Sequence, residues 1–110
     1  MPTIDHNLLR KLAYDVYRAM GAPDAQARLV SDYQVETNLI GHDSHGCIAV
    51  PRFVNDIRSG KLVADAEPEI LRRDGPTALM NGHRSFGHYS ASKATDLAIT
   101  VAQELGVGTV

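Results

Sequence analysis

The segment Gly41–Gly46 reads GHDSHG and lies between two stretches with helical periodicity. It places two imidazoles, a carboxylate and a hydroxyl within six positions. Polar groups at a turn between two helices are typical of functional loops, because rigid elements on both sides hold them in place. Imidazole also changes its charge close to neutral pH, which suits proton transfer. The segment therefore predicts a helix-to-helix junction and marks the part of the chain best suited to chemistry.

Two helices are predicted before this segment. The first has apolar residues at spacings of three and four, a cap at Thr3 or Asp5 and a stop at Gly21. The second begins at an Asp24 N-cap and closes at Gly41. Its apolar positions, which we expect to face inward, are Leu29, Val30, Tyr33, Thr37 and Ile40.

The sequence after the segment changes from helical to mixed character. It predicts, in order, a helix over about 48–59, strands over 69–72 and 77–80, a helix over about 89–105 and a strand that starts within 106–110. Pro51 fits the first turn of the helix over 48–59, and residues 73–76, which include Gly75 and Pro76, form the turn between the two strands. The predicted fold class is therefore α+β: three helices, a β-hairpin, a helix and the start of a buried strand. We expect residues 1–60 to form an N-terminal helical segment and residues 61–110 to begin an α/β cofactor or substrate domain. Because a strand needs partners for its backbone groups, we also expect the chain to be the N-terminal part of a longer polypeptide.

Composition narrows the possible functions. Eleven basic and thirteen acidic residues give a formal charge of -2, which offers no basic face for nucleic acid or anionic membrane. The single cysteine, Cys47, excludes an internal disulfide and a cysteine-rich metal site. The sequence has no apolar run long enough to span a bilayer and no signal-peptide pattern. We therefore expect a cytoplasmic protein with neither nucleic acid nor membrane as a partner.

The adjacent Ser44 and His45 support two interpretations. In the first, His45 is a general acid/base, and Ser44 hydrogen-bonds to its ring and fixes the tautomer. In the second, Ser44 caps the following helix and His45 only lies in the turn. The six residues of the segment leave both interpretations open.

A metal site is an alternative use of the same residues. His42, Asp43 and His45 could supply ligands, and His83 or His88 could complete the shell. The spacing is permissive rather than diagnostic, and no thiolate pair supports it. The sequence therefore predicts no metal.

Three further residues are ambiguous from the sequence, and the later glycines form no dinucleotide-binding motif. Cys47 fits a nucleophile near a helix N-terminus or a small buried residue. Arg52 could pair with a substrate carboxylate or be an ordinary exposed charge, and Arg84 is equally open. The later glycines do not form the dinucleotide-binding fingerprint, because none follows a strand in the pattern GxGxxG.

Over essentially its whole length the chain resembles the N-terminal third of the malate/L-lactate dehydrogenase family of the non-Rossmann type. The segments that carry the resemblance are 38–46, 51–54, 59–61, the Asn81-Gly82…Phe86-Gly87 loop and the helix end within 98–107. The resemblance implies an NAD- or NADP-dependent oxidoreductase that interconverts 2-oxo and 2-hydroxy acids as a homodimer. It implies that Ser44 and His45 belong to a catalytic proton relay. It also places the cofactor-binding residues beyond Val110, so that residues 1–110 alone are expected to be inactive.

The chain departs from the family pattern close to the histidine. Ala49 stands where the family usually has an arginine, and Phe53 stands where a tyrosine is common. Arg52 lies one turn further along the predicted helix and is the candidate replacement for binding a substrate carboxylate. A substrate without that carboxylate, or a loss of activity, would also account for Ala49. The alternative to an enzyme is a truncated, non-catalytic module that pairs with another subunit through its helices.

Overall fold

The computed structural model describes residues 2–110. Within them, the chain folds into two compact units, one that ends at Asp65 and one that begins at Ala66. The helices and strands, in chain order, are α1 (His6–Ala19), α2 (Asp24–Leu39), α3 (Val50–Arg58), β1 (Glu69–Asp74), β2 (Thr77–Asn81) and α4 (Gly87–Leu105). The predicted α+β class and the predicted order of elements are confirmed. No helix in the described part of the chain is long and apolar enough to cross a membrane.

Helix α1 begins at a side-chain cap. The Asp5 carboxylate accepts hydrogen bonds from the backbone N–H groups of Asn7 and Leu8, each at 3.0 Å. The carboxylate thereby satisfies two of the N–H groups that the first turn of a helix leaves without partners. Of the two predicted caps, the structure uses Asp5.

The interface between α1 and α2 contains a buried polar pair. The Tyr17 hydroxyl donates to Gln34 Oε1 at 2.7 Å, and both residues are fully buried. Burial raises the pKa of Tyr17, so its hydroxyl remains a hydrogen-bond donor. This bond satisfies the Tyr17 hydroxyl and the Gln34 amide oxygen, whereas Gln34 Nε2 is buried with no hydrogen-bond partner among the described residues.

The predicted details of α2 were wrong in two respects. The N-cap is Pro23 and not Asp24, which is instead the first helical residue. The predicted inward face is also displaced, because Tyr33 is 51% exposed and Ile40 is 72% exposed. The residues of α2 that are buried are Gln26, Ala27, Val30, Ser31, Gln34 and Val35. The spacing of apolar residues did not predict this buried face, because two glutamines and a serine are part of it.

The second unit contains the predicted hairpin. Strands β1 and β2 pair antiparallel, with Asp74 opposite Thr77 and a bulge between Ile70 and Arg72. The two-residue turn consists of Gly75 and Pro76, and Gly75 has the positive φ of +54° that such a turn requires.

A third backbone segment pairs with β2 beside the hairpin. Thr109 forms a parallel bridge with Thr77, and its N–H donates to the carbonyl of Pro76 at 2.8 Å. Gly108 makes this approach possible, because a Cβ there would lie 2.3 Å from the carbonyl oxygen of Ala98 in α4. The predicted start of a buried strand after α4 is thus represented by one bridge, and Thr109 and Val110 are exposed within the described residues. The assignment of residues 61–110 to a cofactor or substrate domain remains a prediction.

Candidate active site

The segment between α2 and α3 is fixed by one side chain at the end of α2. The Asn38 amide nitrogen donates to the Asp43 carboxylate at 2.7 Å. The Asn38 amide oxygen accepts the backbone N–H of Cys47 at 2.8 Å. One amide therefore ties down both ends of the histidine-bearing turn. Sequence reasoning missed this role, although the position of an asparagine one turn before a GHDSHG segment is the signal that points to it.

Gly46 is required by the same asparagine. It is buried, and a Cβ at this position would lie 2.2 Å from Asn38 Oδ1, inside any real contact distance. The small residue after His45 thus lets the backbone pass directly over the Asn38 amide.

The backbone of the segment forms a tight turn that brings two histidines together. Asp43–His45 is a short 3-10 helix in which the His45 N–H donates to the His42 carbonyl at 3.1 Å. Side chains three residues apart eclipse each other in a 3-10 helix. The His42 and His45 rings accordingly meet edge to face, with their centroids 4.4 Å apart.

Two groups converge on one nitrogen of His45. Ser44 Oγ lies 2.9 Å from His45 Nδ1, and His42 Nε2 lies 2.8 Å from the same atom. All three side chains are exposed, and within residues 2–110 the other ring nitrogen, His45 Nε2, has no hydrogen-bond partner. The arrangement therefore leaves Nε2 available to take a proton from, or give one to, a bound molecule.

The helix-cap interpretation of Ser44 was wrong. The residue before α3 is Ala49, no side chain caps that helix, and a second 3-10 turn, Cys47–Ala49, separates it from Ser44. Pro51 lies in the first turn of α3, as predicted. The hydroxyl of Ser44 is directed at the imidazole instead.

The geometry does not favour a metal at this segment. The His42 and His45 rings bond to each other, and the Asp43 carboxylate bonds to Asn38. The described residues 2–110 contain no group of three or more histidines, cysteines or carboxylates arranged to hold a metal ion. His83 and His88 were the two further candidate ligands. The Nε2 atom of His83 lies 2.8 Å from Glu69 Oε2 in the second unit.

Cys47 and Arg52 also have defined surroundings. Cys47 is half-buried, and burial raises the pKa of its thiol, which disfavours the thiolate that a nucleophile needs. Arg52 is exposed on α3, with its guanidinium carbon 5.4 Å from the centre of the Phe53 ring. Ala49, at the position of the missing arginine, is only 9% exposed.

The sequence profile of the malate/L-lactate dehydrogenase family matches residues 4–110. The chain belongs to this family. Its curated relatives include L-sulfolactate dehydrogenase from Methanothermobacter thermautotrophicus, which is 37% identical over 91% of this chain and 29% of the relative. Hydroxycarboxylate dehydrogenase B from Escherichia coli O157:H7 is 33% identical over 96% of this chain and 29% of the relative. The chain therefore spans less than a third of the length of these relatives.

Solved structures agree with this assignment. A putative malate/lactate dehydrogenase from E. coli matches with a TM-score of 0.94 and 30% identity, over 98% of this chain and 30% of that one. Malate dehydrogenase from Pyrococcus horikoshii OT3 matches with a TM-score of 0.92 and 27% identity, over 97% of this chain and 31% of that one.

Proposed function

We propose that the chain is part of an NAD(P)-dependent oxidoreductase that interconverts small 2-hydroxy and 2-oxo acids, with His45 as the acid/base. The observation that carries the proposal is the convergence of Ser44 Oγ and His42 Nε2 on His45 Nδ1, which leaves Nε2 available. Family membership and the names of the relatives support the reaction class, since sulfolactate and malate are both 2-hydroxy acids.

The proposed role of His45 is proton transfer at its Nε2 atom. In the oxidation, the O–H bond of the substrate breaks and its proton forms an N–H bond with His45 Nε2. In the reduction, the same proton returns to the oxygen. Ser44 holds the opposite side of the ring, so that the imidazole stays oriented during the transfer. A bound nicotinamide would exchange a hydride with C2 of the substrate.

The described residues do not form a cradle for that cofactor. The connection between β2 and α4 joins a strand to a helix, as a dinucleotide-binding turn does. Gly82 and Gly87 do not have the GxGxxG spacing of such a turn, however, and the connection carries His83 and Arg84 at φ values of 50° and 61°. NAD or NADP, bound by residues beyond Val110, and a cytoplasmic homodimer remain parts of the proposal.

Arg52 is the proposed partner of the substrate carboxylate. Its side chain is exposed on α3, the helix that follows the histidine turn, and it forms no ion pair within residues 2–110. A guanidinium can bind a carboxylate through two parallel hydrogen bonds, a geometry that an ammonium cannot reproduce. Arg52 could thereby replace the arginine that Ala49 lacks.

The test is steady-state kinetics of the intact protein with a panel of 2-oxo acids and both nicotinamide cofactors. His45→Gln should lower kcat by about 10²–10⁴-fold, the usual contribution of a general acid/base. Arg52→Lys should raise KM while leaving kcat nearly unchanged. The control is His6→Gln, which removes an exposed histidine at the start of α1. Normal turnover by His45→Gln would overturn the assignment of His45, whereas no turnover by the unmodified protein would favour the non-catalytic module.

A further inference from the structure

A second imidazole contacts the nitrogen of His45 that faces away from the proposed reaction. The distance from His42 Nε2 to His45 Nδ1 is 2.8 Å, as short as the 2.9 Å contact of Ser44 Oγ with the same atom. The two rings are inclined at 70° and do not stack face to face. The contact is thus a hydrogen bond between ring nitrogens.

The backbone holds His42 in this position from both sides. The His42 N–H donates to the carbonyl of Thr37 at 2.9 Å, which anchors the residue to the end of α2. The His42 carbonyl accepts the N–H of His45, which closes the 3-10 turn. Asn38 further ties the turn to α2 through the neighbouring Asp43. The pairing of the two rings therefore follows from the fold of the turn and not from a chance meeting of exposed side chains.

The chemistry of imidazole allows this contact to determine the tautomer of His45. A neutral imidazole has one N–H and one ring nitrogen with a lone pair, and the group on one nitrogen decides which tautomer is present. If His42 Nε2 accepts this hydrogen bond, then the hydrogen of the neutral His45 ring must lie on Nδ1, and Nε2 keeps its lone pair. Ser44 alone does not impose this state, because a hydroxyl can donate or accept.

We infer that His42 is a positioning residue that accepts a hydrogen bond from His45 Nδ1–H and so holds the neutral His45 ring in the tautomer whose Nε2 lone pair takes the proton of a 2-hydroxy acid. In the reverse reaction the doubly protonated ring gives the Nε2 proton back and keeps its hydrogen on Nδ1. This inference rests on the proposed function. His42 itself does not touch the substrate in this mechanism and acts only through the ring of His45. The relevant property of His42 is a hydrogen-bond acceptor at the place of its Nε2 atom.

Two substitutions separate this role from a structural one. His42→Phe keeps an aromatic ring but removes the acceptor. His42→Gln keeps an acceptor, its amide oxygen, near the position of Nε2 and is the conservative variant. The matched control, His6→Phe, makes the same change at an exposed position at the start of α1.

The experiment combines nuclear magnetic resonance and kinetics on the intact protein. Selective ¹⁵N-histidine labelling gives long-range ¹H–¹⁵N spectra in which the His45 signals are identified by their loss in His45→Gln. We expect the Nδ1–H pattern for His45 in the unmodified protein and in His42→Gln, and a shift toward Nε2–H in His42→Phe. We also expect kcat for oxidation of a 2-hydroxy acid to fall about tenfold in His42→Phe, with KM within about twofold and near-normal kcat in His42→Gln.

Each outcome has one meaning. An unchanged His45 tautomer in His42→Phe overturns the inference, whatever the rate. A shifted tautomer with an unchanged kcat overturns it as well, because the hydrogen bond then has no part in turnover. If His45→Gln retains activity, the proposed function fails, and the spectra show independently whether His42 controls the ring of His45.

Discussion

Two histidine-bearing loops of the chain, 41–46 and 82–86, differ in what each histidine faces. His45 meets a second imidazole and a hydroxyl through one ring nitrogen, and its other nitrogen has no partner within residues 2–110. His83 directs its Nε2 at the carboxylate of Glu69, 2.8 Å away. The first contact holds the ring and leaves a nitrogen for chemistry, whereas the second occupies Nε2 in a contact with a carboxylate. The comparison shows that the partner of a histidine, and not its place beside a glycine, indicates its function.

The two loops are also held by different means. In the first, the Asn38 side chain bridges Asp43 and the backbone of Cys47. In the second, His83 and Arg84 adopt the left-handed backbone conformation, which is costly for residues with a Cβ. The hydrogen bond from the His83 N–H to Asn81 Oδ1, at 2.8 Å, helps to offset that cost. The first loop thus depends on one side chain, and the second on a strained backbone.

The largest effect is expected from Gly46→Ala in the first loop. The added Cβ would lie 2.2 Å from Asn38 Oδ1, and the Asn38 amide can move only by giving up its bonds to Asp43 and Cys47. We expect a loss of about 2 kcal/mol in the free energy of unfolding, from overpacking and lost hydrogen bonds. Urea denaturation measures this loss, and turnover should fall with it because the histidine turn is displaced.

The matched control for Gly46→Ala is Gly87→Ala. Gly87 opens α4, and a Cβ there would meet nothing within 4 Å. Its free energy of unfolding should be unchanged or slightly higher, since alanine favours the helix over glycine. Equal stability of the two variants would show that the Asn38 bridge is dispensable and would remove the contrast between the loops.

A smaller effect is expected from Gly82→Ala in the second loop. Its Cβ would lie 2.7 Å from Ser90 Oγ, which pairs with Ser85 Oγ at 2.6 Å. A serine hydroxyl can rotate away, so we expect a loss of about 1 kcal/mol in the free energy of unfolding. Adding Ser90→Ala should restore part of this loss, because the alanine lacks the clashing oxygen. The corresponding pair Gly46→Ala and Asn38→Ala should show no such recovery, because Asn38 is itself the support of its loop. A double-mutant cycle by urea denaturation measures both couplings.

Sequence patterns predicted the features that depend on near neighbours. The Asp5 cap, the proline in the first turn of α3 and the Gly75-Pro76 turn are all local, and all three are present. The inner face of α2 was not predictable from apolar spacing, because Gln34 is buried by its bond to Tyr17 in another helix.

The candidate site shows the same division between local and distant effects. The adjacency of Ser44 and His45 was visible in the sequence, and their hydrogen bond follows from it. The bridge from Asn38 to Cys47 spans nine positions through a side chain, and no periodicity signals it. The contact of His42 with His45 depends on the turn being a 3-10 helix, which the sequence did not specify.

The smallest expected effect concerns His88, which follows the second loop at the start of α4. His88 is half-buried, and burial lowers its pKa below the usual histidine value of about 6.5. Above that value the ring is neutral in both the folded and unfolded states, and stability is at its full level. As the pH falls below about 6.5, the unfolded chain takes up the proton first, so the folded state loses stability until its own, lower pKa is passed. We expect the loss at pH 5.5 relative to pH 7.5 to be a fraction of a kcal/mol, because the side chain keeps contact with water. Urea denaturation of the protein and of His88→Gln at both pH values isolates this contribution, since the variant lacks the titrating ring. A pH dependence that is the same in the variant would mean that His88 is no harder to charge in the folded state than in the unfolded chain, and that its partial burial does not contribute to stability.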